Sequence, residues 1–130
     1  LIGEFNKVRN HFGVGRLAQA AALSALLDND YLQQVVRKVS EARGRISRIA
    51  LDNGLRSIDS AANFVAIDCG RDGSFATAVL TDLIRQGIFV RMPGIAPLNR
   101  CIRVSVGLDA DLDVFSRALP GALSVAESSA

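Results

Sequence analysis

The chain has 130 residues, of which 49% are apolar and 22% are charged, and its mean hydropathy is +0.26. This length suits one compact domain, and the composition excludes a chain that is disordered as a whole. Fifteen basic and thirteen acidic residues leave a net charge of +2, which is too weak to indicate a nucleic-acid partner. No apolar run approaches the roughly 18 residues of a membrane helix. We therefore expect a cytoplasmic protein with no membrane or nucleic-acid partner.

The first half of the chain has the periodicity of helices. Strong helix formers with apolar residues at helical spacing predict a helix over residues 16–27, and Gly13 and Gly15 mark a flexible entry to it. Asp28 and its neighbours provide caps for a second, longer helix that ends at Asn53-Gly54. The charged residues on the far face of this helix favour a solvated surface over an anionic partner surface. They are Arg37, Lys38, Glu41, Arg45 and Arg48.

After Gly54 the pattern changes to short runs rich in β-branched and aromatic residues, which are typical of strands. Between the first two runs, Asp72 opens and Gly87 closes a helix with one apolar stripe. The predicted strands are residues 64–69, 88–92 and 101–106.

The last predicted helix begins near Asp109 and is expected to stop at Pro120-Gly121, because proline has no N–H for the next turn. The expected fold class is α/β: a small, mainly antiparallel sheet of three or four strands, covered by helices on one face, with an N-terminal helical arm. The chain then divides into an interdomain segment with the first helix, a small domain and a loose tail. These are residues 1–27, 28–123 and 124–130.

Two arginines are candidates for an anion site. Because side chains alternate along a strand, Arg91 and Arg103 each oppose the apolar face of their own strand. If these strands are neighbours, both guanidinium groups emerge on one uncovered surface, where their planar forks suit a carboxylate or a phosphate. A pair of ordinary exposed or ion-paired arginines is the other interpretation, and the pattern leaves both open. Asn63, just before the first strand, is expected to cap or bridge a turn.

Three further residues are of types that often occur in active sites, but the sequence around them does not indicate a catalytic or metal site. Cys69 and Cys101 are expected to be small buried side chains with no bond between them, since two cysteines do not make a disulfide framework. His11 has no evident partner for catalysis or for a metal ion, so a structural or surface role is expected.

Residues 101–107, Cys-Ile-Arg-Val-Ser-Val-Gly, resemble a motif in the C-terminal small domain of fold-type I aminotransferases, which use pyridoxal phosphate. Other segments occur in the order of that family, and its histidinol-phosphate aminotransferases are the nearest match. The resemblance implies a homodimer that functions in amino-acid biosynthesis. The matching segments are Phe12–Leu26, Asp30–Leu32, Ala62–Val65 and Gly87–Arg91.

The resemblance also implies roles for individual residues. Arg103 would bind the carboxylate or the phosphate-bearing end of a small anionic substrate of the amino-acid type, Arg91 would help to bind the anionic end, and Asn63 would support the site. The reaction would transfer an amino group between an amino acid and a keto acid or imidazole acetol phosphate. The only lysines, Lys7 and Lys38, do not lie in the family's lysine motif. We therefore expect pyridoxal phosphate to be bound mainly by a large domain outside these residues, and this chain alone to be inactive.

A free-standing module that binds or senses a small anion, without catalysis, is the alternative function, because such a module needs no lysine. The reading frame upstream of Leu1 distinguishes the two hypotheses. A large domain encoded there would favour the enzyme, and a start codon immediately before Leu1 would favour the module.

Overall fold

The structure, a computed structural model, describes residues 1–8 and 13–128. The expectations for His11 and for the matching residue Phe12 therefore lie outside the described residues. The chain forms two compact units, residues 1–36 and residues 37–130. The division into residues 1–27, 28–123 and 124–130 stays a prediction.

The first unit is helical: the helix predicted over residues 16–27 is confirmed, whereas the helix over Ile2–Val8 was not predicted. It contains α1 (Ile2–Val8), α2 (Arg16–Leu27) and the start of α3 (Asn29–Asp52). Asp28 caps α3, because its Oδ1 accepts a hydrogen bond from the Tyr31 N–H at 3.0 Å. No residue of α1 or α2 is buried.

The second unit contains the rest of α3 and a three-stranded antiparallel sheet in the order β1-β2-β3, which confirms the expected α/β fold class. Within the described residues, no helix has the length and apolar character that crossing a membrane requires. The remaining elements are β1 (Arg56–Ile58), β2 (Phe64–Asp68), α4 (Gly73–Arg85), a 3₁₀ turn (Leu98–Arg100), β3 (Cys101–Ser105) and α5 (Asp109–Ser128).

The core lies between the sheet and the helices. Alternate residues of β2 and β3 are buried there together with α4, α5 and the end of α3, and each fully buried aliphatic side chain contributes about 1.5–3 kcal/mol. Asp72 fixes the start of α4, since its Oδ1 accepts a hydrogen bond from the Phe75 N–H at 2.9 Å. Gly87 ends it with a φ of 80°, which glycine adopts without strain. The buried strand residues are Val65, Ile67, Ile102 and Val104.

The predicted strand over residues 88–92 is wrong as a strand. Only Arg91 pairs with β3, as an isolated antiparallel bridge to Arg103. The next hydrogen-bonded pair in that register would join residues 93 and 101, and Pro93 has no N–H to donate to Cys101. The pairing therefore cannot continue past this bridge on that side.

Two other elements differ from expectation: β1 and the end of α5. The three residues of β1 were not predicted, because two of them are exposed and so short a run has no clear period. The expected stop at Pro120 is wrong, since α5 continues to Ser128 and residues 124–128 are helical instead of a loose tail. Leu119, Ala122 and Ala126 are buried, and this burial offsets the hydrogen bond that Pro120 cannot donate.

Candidate anion-binding site

The backbones of Arg91 and Arg103 form a hydrogen-bonded pair. The Arg91 N–H donates to the Arg103 carbonyl at 3.1 Å, and the Arg103 N–H donates to the Arg91 carbonyl at 2.6 Å. Residues that face each other in an antiparallel pair project their side chains to the same face of the sheet. The structure thus brings together the two arginines that side-chain alternation selected.

The face that carries these arginines is opposite the one on which α4, α5 and the end of α3 pack. Arg103 stands opposite Ala66 of β2, and the flanking Ile102 and Val104 are buried in the core on the other face. Arg91 is exposed and Arg103 is half-buried. We name this surface, with the side chains that β1, β2 and β3 project onto it, the arginine face.

Arg103 contacts an aromatic ring, and one of its donors has no partner among the described residues. Its Nε is buried and has no hydrogen-bond partner, and its guanidinium carbon lies 4.8 Å from the centroid of the Phe64 ring. The guanidinium carbon of Arg91 lies 5.9 Å from the Phe89 ring. Each guanidinium therefore contacts an aromatic ring, which attracts the cation without using the planar donor fork.

Asp68 is the carboxylate that the described strands place on the arginine face, and it is already engaged. Its Oδ1 accepts hydrogen bonds from Arg100 Nε at 2.8 Å and from the Gly70 N–H at 2.8 Å. Burial by itself raises the pKa of the Asp68 carboxyl, but the Gly70 N–H and the Arg100 guanidinium outweigh burial and hold the pKa below its ordinary value. The ionised carboxylate thus pairs with Arg100, and the fork of Arg103 stays available.

Sequence reasoning missed the Asp68–Arg100 pair and the Phe64–Arg103 stack, although one signal was present. Phe64, Ala66 and Asp68 share one parity along β2, so alternation places them on the face opposite the buried Val65 and Ile67.

Asn63 contributes to the site through its backbone. Its carbonyl accepts a hydrogen bond from the Val106 N–H at 2.9 Å, which extends the β2–β3 ladder by one pair beyond Phe64. Arg43 of α3 donates to the neighbouring Ala62 carbonyl at 3.0 Å and so holds the same turn. The bridging role expected for Asn63 fits this geometry, and its supporting role toward a substrate stays a prediction.

Not all of the predicted solvated face of α3 is free. Arg45 donates to the Asp109 carbonyl at 3.0 Å and to the Asp109 carboxylate at 3.1 Å, and it also forms an ion pair with Asp113. The hydrogen bond to Asp113 raises the pKa of the Arg45 guanidinium above its ordinary value. This side chain therefore joins α3 to the start of α5.

The described residues do not fit pyridoxal phosphate. That cofactor needs a lysine beside it, an acid at its ring nitrogen and a helix start that binds its phosphate. Lys7 is ion-paired with Glu4 at 2.6 Å, Lys38 is exposed on α3, and the start of α4 is occupied by the carboxylate of Asp72. The cofactor site implied by the resemblance is therefore not built by these residues.

Comparison with known proteins gives consistent matches over nearly the whole chain, although no protein-family model matches it. The chain is 34% identical over 125 residues to histidinol-phosphate aminotransferase 2 of Ralstonia nicotianae, covering 96% of this chain and 33% of that protein. It is 38% identical over 114 residues to histidinol-phosphate aminotransferase 2 of Methylococcus capsulatus, covering 88% of this chain and 30% of that protein.

Two solved structures resemble the fold. The histidinol-phosphate aminotransferase from Sinorhizobium meliloti, crystallised in complex with pyridoxal-5'-phosphate, has a TM-score of 0.85 and 52% identity, covering 98% of this chain and 34% of that one. A putative aminotransferase from Burkholderia pseudomallei has a TM-score of 0.74 and 30% identity, covering 99% of this chain and 37% of that one.

The chain spans about a third of the length of the proteins that it matches. The resemblance found in the sequence motifs is therefore confirmed: the chain is homologous to a part of the histidinol-phosphate aminotransferases, a kind of fold-type I aminotransferase.

Proposed function

We propose that these residues bind the anionic end of the substrate in an aminotransferase that uses pyridoxal phosphate and resembles the histidinol-phosphate enzymes. The reaction transfers an amino group between an amino acid and a keto acid or imidazole acetol phosphate. One observation carries the proposal: the paired backbones of Arg91 and Arg103 project two guanidinium groups onto the arginine face, and Arg103 Nε has no hydrogen-bond partner among the described residues.

The part played by this chain is positioning by charge. The fork of Arg103 donates two hydrogen bonds to a carboxylate or a phosphate, and Arg91 adds a second positive charge beside it. Holding one end of the substrate fixes where its amino-bearing carbon lies, which lowers the entropic part of the barrier. Because the described residues do not fit the cofactor, we assign its binding to the rest of the enzyme.

The same proposal includes a homodimer in the cytoplasm that takes a small anionic substrate, as the resemblance implies. The similarity to histidinol-phosphate aminotransferases supports this substrate class.

Arg103→Ala in the intact protein that contains these residues tests the proposal. The assay uses histidinol phosphate as the amino donor and a keto acid as the amino acceptor. Loss of a charge-assisted, bidentate contact should raise the KM for histidinol phosphate about 10- to 100-fold. The absorbance of the lysine-bound cofactor should persist, because Arg103 does not hold the cofactor. Steady-state kinetics and an absorbance spectrum measure the two effects.

The matched control is Arg117→Ala, which removes an exposed arginine of α5 and should leave the KM unchanged. An unchanged KM in Arg103→Ala, or loss of the cofactor instead of substrate affinity, would contradict the assignment.

A further inference from the structure

We propose that Phe64 is a positioning residue for Arg103, whose ring holds the guanidinium so that the donor fork is set before the substrate arrives. This inference rests on the substrate-binding function proposed for Arg103. Phe64 stands opposite Ser105 in the β2–β3 register, two pairs along from Ala66 and Arg103. Phe64 is thus the diagonal neighbour of Arg103 on the same face, and its ring lies 4.8 Å from the guanidinium carbon.

No other side-chain group in the described part of the chain orients this guanidinium. A partly buried guanidinium is commonly paired with a carboxylate, but the nearby Asp68 carboxylate binds Arg100. Arg103 Nε is buried without a hydrogen-bond partner, which costs free energy unless another attraction compensates for it. The negative face of the Phe64 ring supplies that attraction without blocking the fork.

The backbone of Arg103 is held by neighbouring chain segments on both sides of β3. Arg103 is held by two hydrogen bonds to Arg91, and β3 is paired with β2 on its other side. The remaining freedom lies in the long side chain of Arg103, and ordering such a side chain lowers the affinity for a ligand. Stacking on the Phe64 ring removes part of the conformational freedom of the Arg103 side chain before the substrate binds.

Packing alone does not account for the position of Phe64. Its strand neighbour Val65 belongs to the core between the sheet and the helices, whereas Phe64 is half-buried on the arginine face. Phe64→Leu keeps an apolar side chain at this position and removes the aromatic face. The substitution therefore separates stacking on Arg103 from simple coverage of the sheet.

Kinetics of the intact enzyme with histidinol phosphate provide the test. Phe64→Leu should raise the KM about tenfold while kcat changes far less, because the fork still forms its contacts once it is ordered. Phe64→Trp should keep the KM near that of the parent enzyme, since its ring stacks at least as well on a guanidinium. Ile84→Ala is the control, because Ile84 is an exposed apolar side chain of α4 and lies outside the arginine face, and it should leave the KM unchanged.

A double-mutant cycle distinguishes positioning from a structural role. In an Arg103→Ala background, Phe64→Leu should have no further effect on the KM, because the group that it positions is absent. An equal rise in both backgrounds, or a Trp variant as impaired as the Leu variant, overturns the inference. If Phe64→Leu does not fold, Phe64→Met tests the same expectation.

The cycle also distinguishes this inference from the function on which it rests. If Arg103→Ala leaves the KM unchanged, the proposed function fails. If Arg103→Ala raises the KM and Phe64→Leu does not, only the positioning role of Phe64 fails.

Discussion

Cys69 and Cys101 are close in the sheet but lie on opposite faces of it. Cys101 stands opposite Asp68 and so shares the arginine face, while Cys69 is the next residue along and belongs to the core. Both are buried free thiols. This arrangement explains why nearness along the ladder does not favour a disulfide, since the two sulfur atoms project in opposite directions.

Burial makes these thiols unreactive, and this can be measured. Burial raises the pKa of Cys69 to about 11 and also raises that of Cys101. Since only the thiolate reacts, about one Cys69 in a thousand is ionised at pH 8. We expect iodoacetamide at pH 8 to leave Cys69 unmodified in the folded chain, and its rate to rise as the pH approaches 11.

Mass spectrometry of the alkylated chain measures this protection. The denatured chain is the control, and there both thiols should react readily because their pKa values return to the ordinary range. Rapid modification of Cys69 in the folded chain at pH 8 would show that the thiol is not buried as described.

At the residue scale, the sequence correctly predicts the sheet face on which a residue lies, because that face depends on the residue's own strand. Parity along the chain was enough to select Arg91 and Arg103, because the face on which a residue lies depends only on its own strand. The contacts of Arg103 with Phe64 and of Asp68 with Arg100 depend on the register between β2 and β3. The chain joins β2 to β3 through α4 instead of a short turn, so no local turn signal indicates which residues of the two strands pair.

At the scale of elements, α5 shows tertiary packing overriding a local signal. Pro120 is exposed and sits inside the helix, where it leaves the Ser116 carbonyl without its helical donor. The helix continues because Ala122 and Ala126 are buried beyond it. By contrast α3 and α4 were predicted well, since Asp28, Asp72 and Gly87 cap them locally.

Pro120→Ala should therefore stabilise the chain by about 1–3 kcal/mol, because it restores the missing donor and the core already holds the helix in place. Urea unfolding followed by circular dichroism gives the free energy of unfolding. Gly121→Ala is a companion variant with open space around the new methyl group, and it should add only about 0.5–1 kcal/mol. A less stable Pro120→Ala variant would mean that α5 does not run through this position.

At the scale of the whole molecule, the segment between α4 and β3 exposes unusually apolar side chains. Phe89, Ile95 and Leu98 are 76%, 81% and 44% exposed, and the part of the segment around Phe89 and Ile95 pairs with the sheet through the isolated bridge at Arg91. Grouped apolar exposure of this kind is typical of a surface that another protein surface covers. Under the proposed function, that cover is the rest of the enzyme.

The chain on its own should therefore self-associate through this segment. We expect the sedimentation coefficient of the 130-residue chain to increase with concentration, because association removes the exposed apolar side chains from water. The double variant Phe89→Ser, Ile95→Ser should weaken this dependence. Leu108→Ser is the matched control, since Leu108 is 76% exposed but lies outside the segment, and it should leave the association unchanged. A chain that stays monomeric at every concentration would show that these side chains do not mediate self-association. Their exposure would then have to be explained by contacts with a ligand alone.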